Sequence, residues 1–136
     1  MKRFCLTLLL AAVLPLLAVM PASAAPTQAI TVSVESIAVA SADGTSLTVR
    51  LTVSCPANYT VLEAFLYVVQ GGQQSNFVGI PLSCRPHGRQ YTLTVPALGG
   101  LTWSAGEASL SGYILLERKS TTLSASPAAS LQIVFP

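Results

Sequence analysis

The alternation of apolar and polar residues is clearest over residues 46–55, SLTVRLTVSC. Its apolar positions lie on one side of an extended chain and are Leu47, Val49, Leu51, Val53 and Cys55. This spacing predicts a half-buried β-strand. Because the apolar side ends in a cysteine, the strand should also carry a thiol into the protein interior.

The segment before this strand alternates as well, but its phase changes. Apolar residues alternate over residues 30–34 and then move by one position to Ile37 and Val39. This shift predicts a bulge or a change of strand partner near Ser36. The turn signal Asp43-Gly44 follows and makes the first two predicted strands neighbours.

Residues 61–70, VLEAFLYVVQ, fit two patterns. Helical spacing relates Leu62, Phe65, Leu66 and Val69. The short length, the valine and aromatic content and the following Gly71-Gly72 nevertheless favour a strand that turns back over residues 74–82. Pro81 predicts that this returning strand lies at a sheet edge.

Three further segments alternate, over residues 90–95, 108–116 and 131–135, and are joined by a connection at 97–106 and a polar loop at 118–129. Seven strands separated by turn signals, with no convincing helix, predict an all-β fold. We expect a seven-stranded antiparallel immunoglobulin-like sandwich, with a small barrel as the alternative.

The N-terminus has the pattern of an export signal. Lys2 and Arg3 precede an apolar run, and residues 22–24 (Ala-Ser-Ala) form a small-residue cleavage site. We therefore expect cleavage of residues 1–24 and a secreted single domain over residues 25–136, without membrane insertion and with cell-envelope association as an alternative. Pro15 and Pro21 interrupt the run and argue against a transmembrane anchor.

Cleavage would remove Cys5 and leave Cys55 and Cys84. Two cysteines in an oxidising compartment predict one disulfide. Such a bond should stabilise the fold by about 3 to 4 kcal/mol in the chain-entropy model.

Cleavage also removes two of the seven basic residues, so that five remain against five acidic residues. A neutral domain with scattered charges has no electrostatic footprint for nucleic acid or for an anionic membrane surface. Both are excluded as principal partners.

The sequence contains no set of residues typical of an enzyme. The single histidine, His87, lies in a Pro-Gly turn, and the five acids are scattered. With both remaining cysteines assigned to the disulfide, one histidine cannot complete a zinc site. We expect a non-enzymatic protein without a cofactor or a catalytic metal.

The most informative feature is a surplus of apolar residues on residues 61–70. If Leu62, Ala64, Leu66 and Val68 face the core, the residues left on the other side are Val61, Phe65, Tyr67 and Val69. With two residues of a later strand, these form the candidate interface Phe65, Tyr67, Val69, Tyr113 and Leu115. The alternative is that loops such as residues 98–103 cover this side.

The order of several short motifs resembles that of a group of uncharacterised secreted immunoglobulin-like domains of bacteria, common in actinobacteria. The motifs are Asp43-Gly44, Cys55-Pro56, Gln70, Cys84, residues 91–95 (Tyr-Thr-Leu-Thr-Val) and the element that begins at Trp103. The resemblance covers roughly residues 43–115 and supports the predicted fold, but it implies no activity and no functional residues.

A weaker resemblance is to chromoprotein apoproteins of the neocarzinostatin type, based on Ala25-Pro26-Thr27 and the terminal strand at residues 131–135. Those proteins are exported sandwiches that hold an apolar chromophore, although they carry two disulfides at other positions. This resemblance implies a cleft for a small apolar ligand, which we place near Trp103.

Taken as expectations, these features favour an exported module that acts in binding or adhesion, or as a structural component of the cell envelope. Its partner would be a protein or glycan at the cell surface or outside the cell. A carrier of a small apolar ligand is the alternative, and an enzyme of unnamed reaction is less favoured.

Overall fold

The structure is a computed structural model that describes residues 29–136, so the predicted export signal lies outside the described residues. The regular secondary structure in this range consists of β-strands alone. The strands are β1 (Thr31–Val34), β2 (Ile37–Ala40), β3 (Ser46–Ser54), β4 (Thr60–Gln70), β5 (Gln73–Gln74), β6 (Val78–Gly79), β7 (Arg89–Pro96), β8 (Gly106–Arg118), β9 (Thr121–Ala125) and β10 (Ala128–Val134).

Two long strands organise the sheet. β3 pairs antiparallel with β1, β2 and β7, while β8 pairs antiparallel with β4, β9 and β10. The short strands β5 and β6 pair with β4. β2 joins the two groups because it also pairs, in parallel, with β10. The ten strands therefore form one continuous mixed sheet.

The all-β fold and the Cys55–Cys84 disulfide are confirmed. The seven antiparallel strands that we predicted are instead ten, and one pair is parallel. Three local features cause the difference. The first predicted strand breaks at Ser36 into β1 and β2, the strand at residues 74–82 is reduced to β5 and β6, and the polar loop at residues 118–129 contains β9.

The change of strand partner predicted near Ser36 is present, since β1 pairs with β3 alone whereas β2 pairs with both β3 and β10. The apolar residues Ile37 and Val39 nevertheless do not mark the buried side of β2. Ala38 and Ala40 are buried, whereas Ile37 is 55% exposed and Val39 is 43% exposed. The buried positions of β2 have large buried neighbours on the adjacent strands: Ala38 lies opposite Ile133, and Ala40 opposite Leu47. Small side chains suffice there.

A single core unites the two groups of strands. The inner side of β3 is fully buried and consists of Leu47, Val49, Leu51 and Val53. β4 and β8 add Leu66, Val68, Leu110, Ile114 and Leu116 to the same cluster. Each such side chain stabilises the fold by about 1.5 to 3 kcal/mol relative to exposure.

Residues 61–70 belong to a strand, as predicted, but a bulge changes their orientation. Val61 lies opposite Leu116 and Glu63 opposite Leu115, so Leu62 is the extra residue in β4. Contrary to our assignment, Leu62 is therefore 48% exposed and Val61 packs against the core. Beyond the bulge, Leu66 and Val68 face inward as expected.

Candidate functional site: an aromatic face on β4 and β8

The outer side of β4 and β8 carries all five residues of the candidate interface. Phe65 lies directly opposite Tyr113, and their ring centroids are 6.3 Å apart. Leu115 follows Tyr113 on the same side of β8, while Tyr67 and Val69 follow Phe65 on β4. All five side chains are partly buried, so the structure places them in one continuous apolar surface.

Sequence reasoning missed one member of this surface, Phe77. Its side chain is 64% exposed, and its ring centroid lies 5.0 Å from that of Phe65 and 5.4 Å from that of Tyr67. The tilted and edge-on geometries are those that aromatic pairs prefer. A signal was available, since Phe77 is out of phase with the core-facing Val78 and Ile80. We define the aromatic face as Phe65, Tyr67, Phe77 and Tyr113.

A buried serine fixes the segment that carries Phe77. Ser75 is 3% exposed, and its backbone N–H donates to the carbonyl of Val68 at 2.8 Å. Its hydroxyl accepts a hydrogen bond from the Val68 N–H at 3.0 Å and donates to the carbonyl of Asn76 at 2.9 Å. In the gap between β5 and β6, the side chain thus replaces a ladder hydrogen bond to β4, which lets the chain bulge and turn Phe77 over β4.

The loops that we considered as a cover for this side lie elsewhere. Trp103 is 2% exposed, and its indole N–H donates to the carbonyl of Val95 at 3.1 Å. Its backbone N–H donates to Gly44. Trp103 is therefore a core residue, and it is Phe77 that lies over Phe65 and Tyr67.

The charges next to the aromatic face are negative. Glu63 precedes Phe65 on the same side of β4, Glu117 follows Leu115 on the same side of β8, and both are exposed. Within residues 29–136 the single ion pair joins Arg50 to Glu35 at 4.0 Å, so neither carboxylate beside the aromatic face is neutralised in this way.

A second surface feature lies on the outer side of β2 and β3. A shallow cavity of about 450 Å³ is lined by Glu35, Ile37, Val39, Thr48 and Arg50. The exposed Ile37 and Val39 make it partly apolar, and the ion pair of Arg50 borders it.

The remaining candidate groups are dispersed. His87 is exposed in the turn before β7. In the part of the chain that the structure describes, no three His, Cys, Asp or Glu side chains are grouped so that they could hold a metal ion. The same residues include no helix with the length and apolar character needed to cross a membrane.

The disulfide ties the end of β3 to the segment that precedes β7. The Cα atoms of Cys55 and Cys84 are 4.9 Å apart, and the Cys55 N–H donates to the carbonyl of Arg85 at 3.2 Å. Cys55 itself is buried, as the strand pattern predicted. A disulfide is compatible with an extracellular location.

Comparisons of the chain with models of protein families, with curated proteins and with solved structures find no match. The class of the protein is therefore defined by its fold and its surface: an all-β domain with one disulfide and a partly exposed aromatic face. The two family resemblances remain predictions.

Proposed function

We propose that this protein is an exported, non-enzymatic binding module of immunoglobulin-like type that contacts a protein or glycan outside the cell through its aromatic face. Two groups of strands, each centred on a long strand and sharing one core, support the immunoglobulin-like arrangement. The disulfide and the N-terminal sequence support export.

The observation that carries the proposal is the position of Phe77. Phe77 is 64% exposed and stacks on two further aromatic rings. It adds exposed apolar surface at a position where a polar side chain would be equally compatible with the fold. Aromatic side chains bury about 150 to 250 Å² each and are enriched among the residues that dominate binding energy. The hydroxyls of Tyr67 and Tyr113 add polar groups that can bond to a partner.

The proposal is tested by the binding of purified protein to cells of the producing organism. Tyr67→Lys and Phe77→Ser should each lower the bound fraction by about ten-fold or more without lowering the melting temperature, because both side chains lie outside the core. Thr52→Lys, an exposed site on β3, is the control and should bind like the wild type. Unchanged binding by both aromatic variants would refute the proposal.

Treatment of the cells before binding identifies the partner. Loss of binding after protease treatment indicates a protein, and loss after periodate oxidation indicates a glycan.

A carrier of a small amphipathic or apolar ligand is the second candidate. The cavity beside Ile37 and Val39 is the ligand site that favours it. The site that we expected near Trp103 is filled by the core. In this case, added ligand should shift the methyl NMR signals of Ile37 and Val39, and Ile37→Ser should weaken the response. A ligand that leaves these signals unchanged would argue against a carrier site there.

A further inference from the structure

Strand β7 has a partner on only one of its edges. It pairs with β3 along its whole length, from Arg89 opposite Val53 to Pro96 opposite Ser46. No other strand of the described residues pairs with it. Its second edge is therefore the open end of the sheet on this side.

The hydrogen-bonding pattern shows which backbone groups face this open edge. The Ala97 N–H donates to the carbonyl of Thr45 at 2.9 Å, which continues the β3–β7 register by one residue. In an antiparallel pair, hydrogen-bonded and non-hydrogen-bonded residues alternate, so odd-numbered residues of β7 bond to β3. The backbone groups of Gln90, Thr92 and Thr94 consequently point away from it.

These outward groups have no partner among residues 29–136. Their side chains are exposed, and no charged residue lies between Gln90 and Val95. Threonine, tyrosine and valine favour strand pairing. Since natural proteins usually protect long edge strands with charges, bulges or prolines, an uncharged edge of this length is a template for another strand.

The far end of the sheet differs in this respect. There β5 and β6 have two residues each, the buried Ser75 and the exposed Phe77 lie between them, and Pro81 follows β6. This edge offers no continuous set of backbone groups. The other strands with a single partner, β1 and β9, have four and five residues, whereas β7 has eight and is therefore the longest open edge.

We propose that a second copy of the chain pairs antiparallel with β7 and joins the two sheets into one. With Leu93 on the two-fold axis, Thr92 of each copy exchanges hydrogen bonds with Thr94 of the other, and the Gln90 N–H donates to the Pro96 carbonyl. This register makes about six backbone hydrogen bonds. Pro96, which lacks an N–H, serves only as an acceptor in it.

The strand is also self-complementary in its side chains. Thr92 and Thr94 of opposite copies become cross-strand neighbours on the solvent side, a pairing that stabilises sheets. The Arg89 side chains lie at opposite ends of the paired strands, which avoids repulsion between like charges. A two-fold contact of this kind closes after two copies and produces no filament.

The proposal is tested by sedimentation equilibrium of the purified protein from about 1 µM to about 1 mM, a range that covers weak to moderate self-association. We expect a reversible monomer–dimer equilibrium. Thr92→Lys combined with Thr94→Lys brings four like charges together in the dimer and should raise its dissociation constant by about ten-fold or more. Both side chains are exposed in the monomer, but Thr92 lies opposite Arg50 on β3, so the melting temperature should fall slightly, and self-association is measured well below it.

The matched control is Thr31→Lys combined with Ser33→Lys, two exposed positions with the same spacing on β1, at the other side of β3. It should dimerise like the wild type. As a second variant, Thr92→Pro removes an outward N–H that the β3–β7 ladder does not use, and it should weaken the dimer without added charge. A wild type that stays monomeric at about 1 mM, or a dimer that both β7 variants leave intact, would overturn the proposal.

Discussion

Gly112 lies so close to the main chain of Phe65 that a β-carbon at position 112 would stand 2.6 Å from the Phe65 carbonyl oxygen. The same atom would lie 3.3 Å from Cβ of Leu66 and 3.3 Å from Cγ of Pro127. The Gly112 N–H also donates to the Pro127 carbonyl at 3.0 Å. The missing side chain therefore allows the close approach of β4, β8 and the corner between β9 and β10, at the level where Phe65 meets Tyr113.

Gly112→Ala should accordingly destabilise the fold, because the carbonyl oxygen belongs to the backbone of β4 and cannot move alone. We expect a loss of about 1 to 3 kcal/mol in the free energy of unfolding, measured by urea denaturation. Gly79→Ala in β6 is the matched control, since a β-carbon there would meet no atom within 4 Å. It should change stability by less than about 0.5 kcal/mol. Equal effects of the two substitutions would contradict this account.

Ser75→Ala should destabilise the protein and release the segment that carries Phe77. The substitution leaves the buried N–H of Val68 without its acceptor, which costs about 1 to 3 kcal/mol. Hydrogen exchange at the Val68 amide should become faster at the same time. Ser109→Ala, an exposed serine of β8, is the control and should alter neither quantity. An unchanged exchange rate at Val68 would mean that the hydroxyl is not its acceptor.

Cys55→Ser should lower the free energy of unfolding by about 2 to 4 kcal/mol, because the disulfide closes a loop with a sequence separation of 29 residues. Chemical denaturation measures this loss. The double variant Cys55→Ser with Cys84→Ser should be no less stable than the single one, since it leaves no unpaired thiol. Reduction of the wild type should lower its stability to a similar extent, whereas a reducing agent without effect would show that the bond contributes little.

Asp43 should make part of the stability depend on acid pH. Its carboxylate accepts hydrogen bonds from the Ser41 hydroxyl at 2.6 Å and from the Thr45 N–H and hydroxyl at 3.1 and 2.8 Å. These bonds, led by that from Ser41, lower its pKa from 3.8 to about 2. Because the pKa is lower in the folded state, the stabilisation is complete above the unfolded pKa and is lost as the pH falls from about 4 to about 2.

The corresponding measurement compares the denaturation midpoints of the wild type and Asp43→Asn at pH 6 and near pH 2. The wild type should lose more stability over this interval, although solvent keeps the difference small for so exposed a group. Parallel acid profiles of the two proteins would argue against a role of the Asp43 hydrogen bonds.

The sequence was sufficient where one physical constraint dominated. The period-two pattern of β3 predicted its buried side because a strand has only two sides, and the Asp43-Gly44 turn was recognisable because its residues suit few other conformations. The same reasoning placed Phe65, Tyr67 and Tyr113 on the outer side of their strands. It failed at Leu62, where a bulge decides the orientation. It also failed at Ile37 and Val39, which follow the break between β1 and β2 and the change of register against β3.

By itself, then, the sequence determined an all-β domain, the pairing of Cys55 with Cys84 and the apolar surplus of β4, since these follow from local alternation and from the cysteine count. Only the tertiary structure decided that β2 joins two groups of strands through a parallel pair, that Phe77 completes the aromatic face, and that β7 keeps an unpaired edge. These features depend on which distant strands meet and in which register, and alternation along a single strand carries no information about its partner.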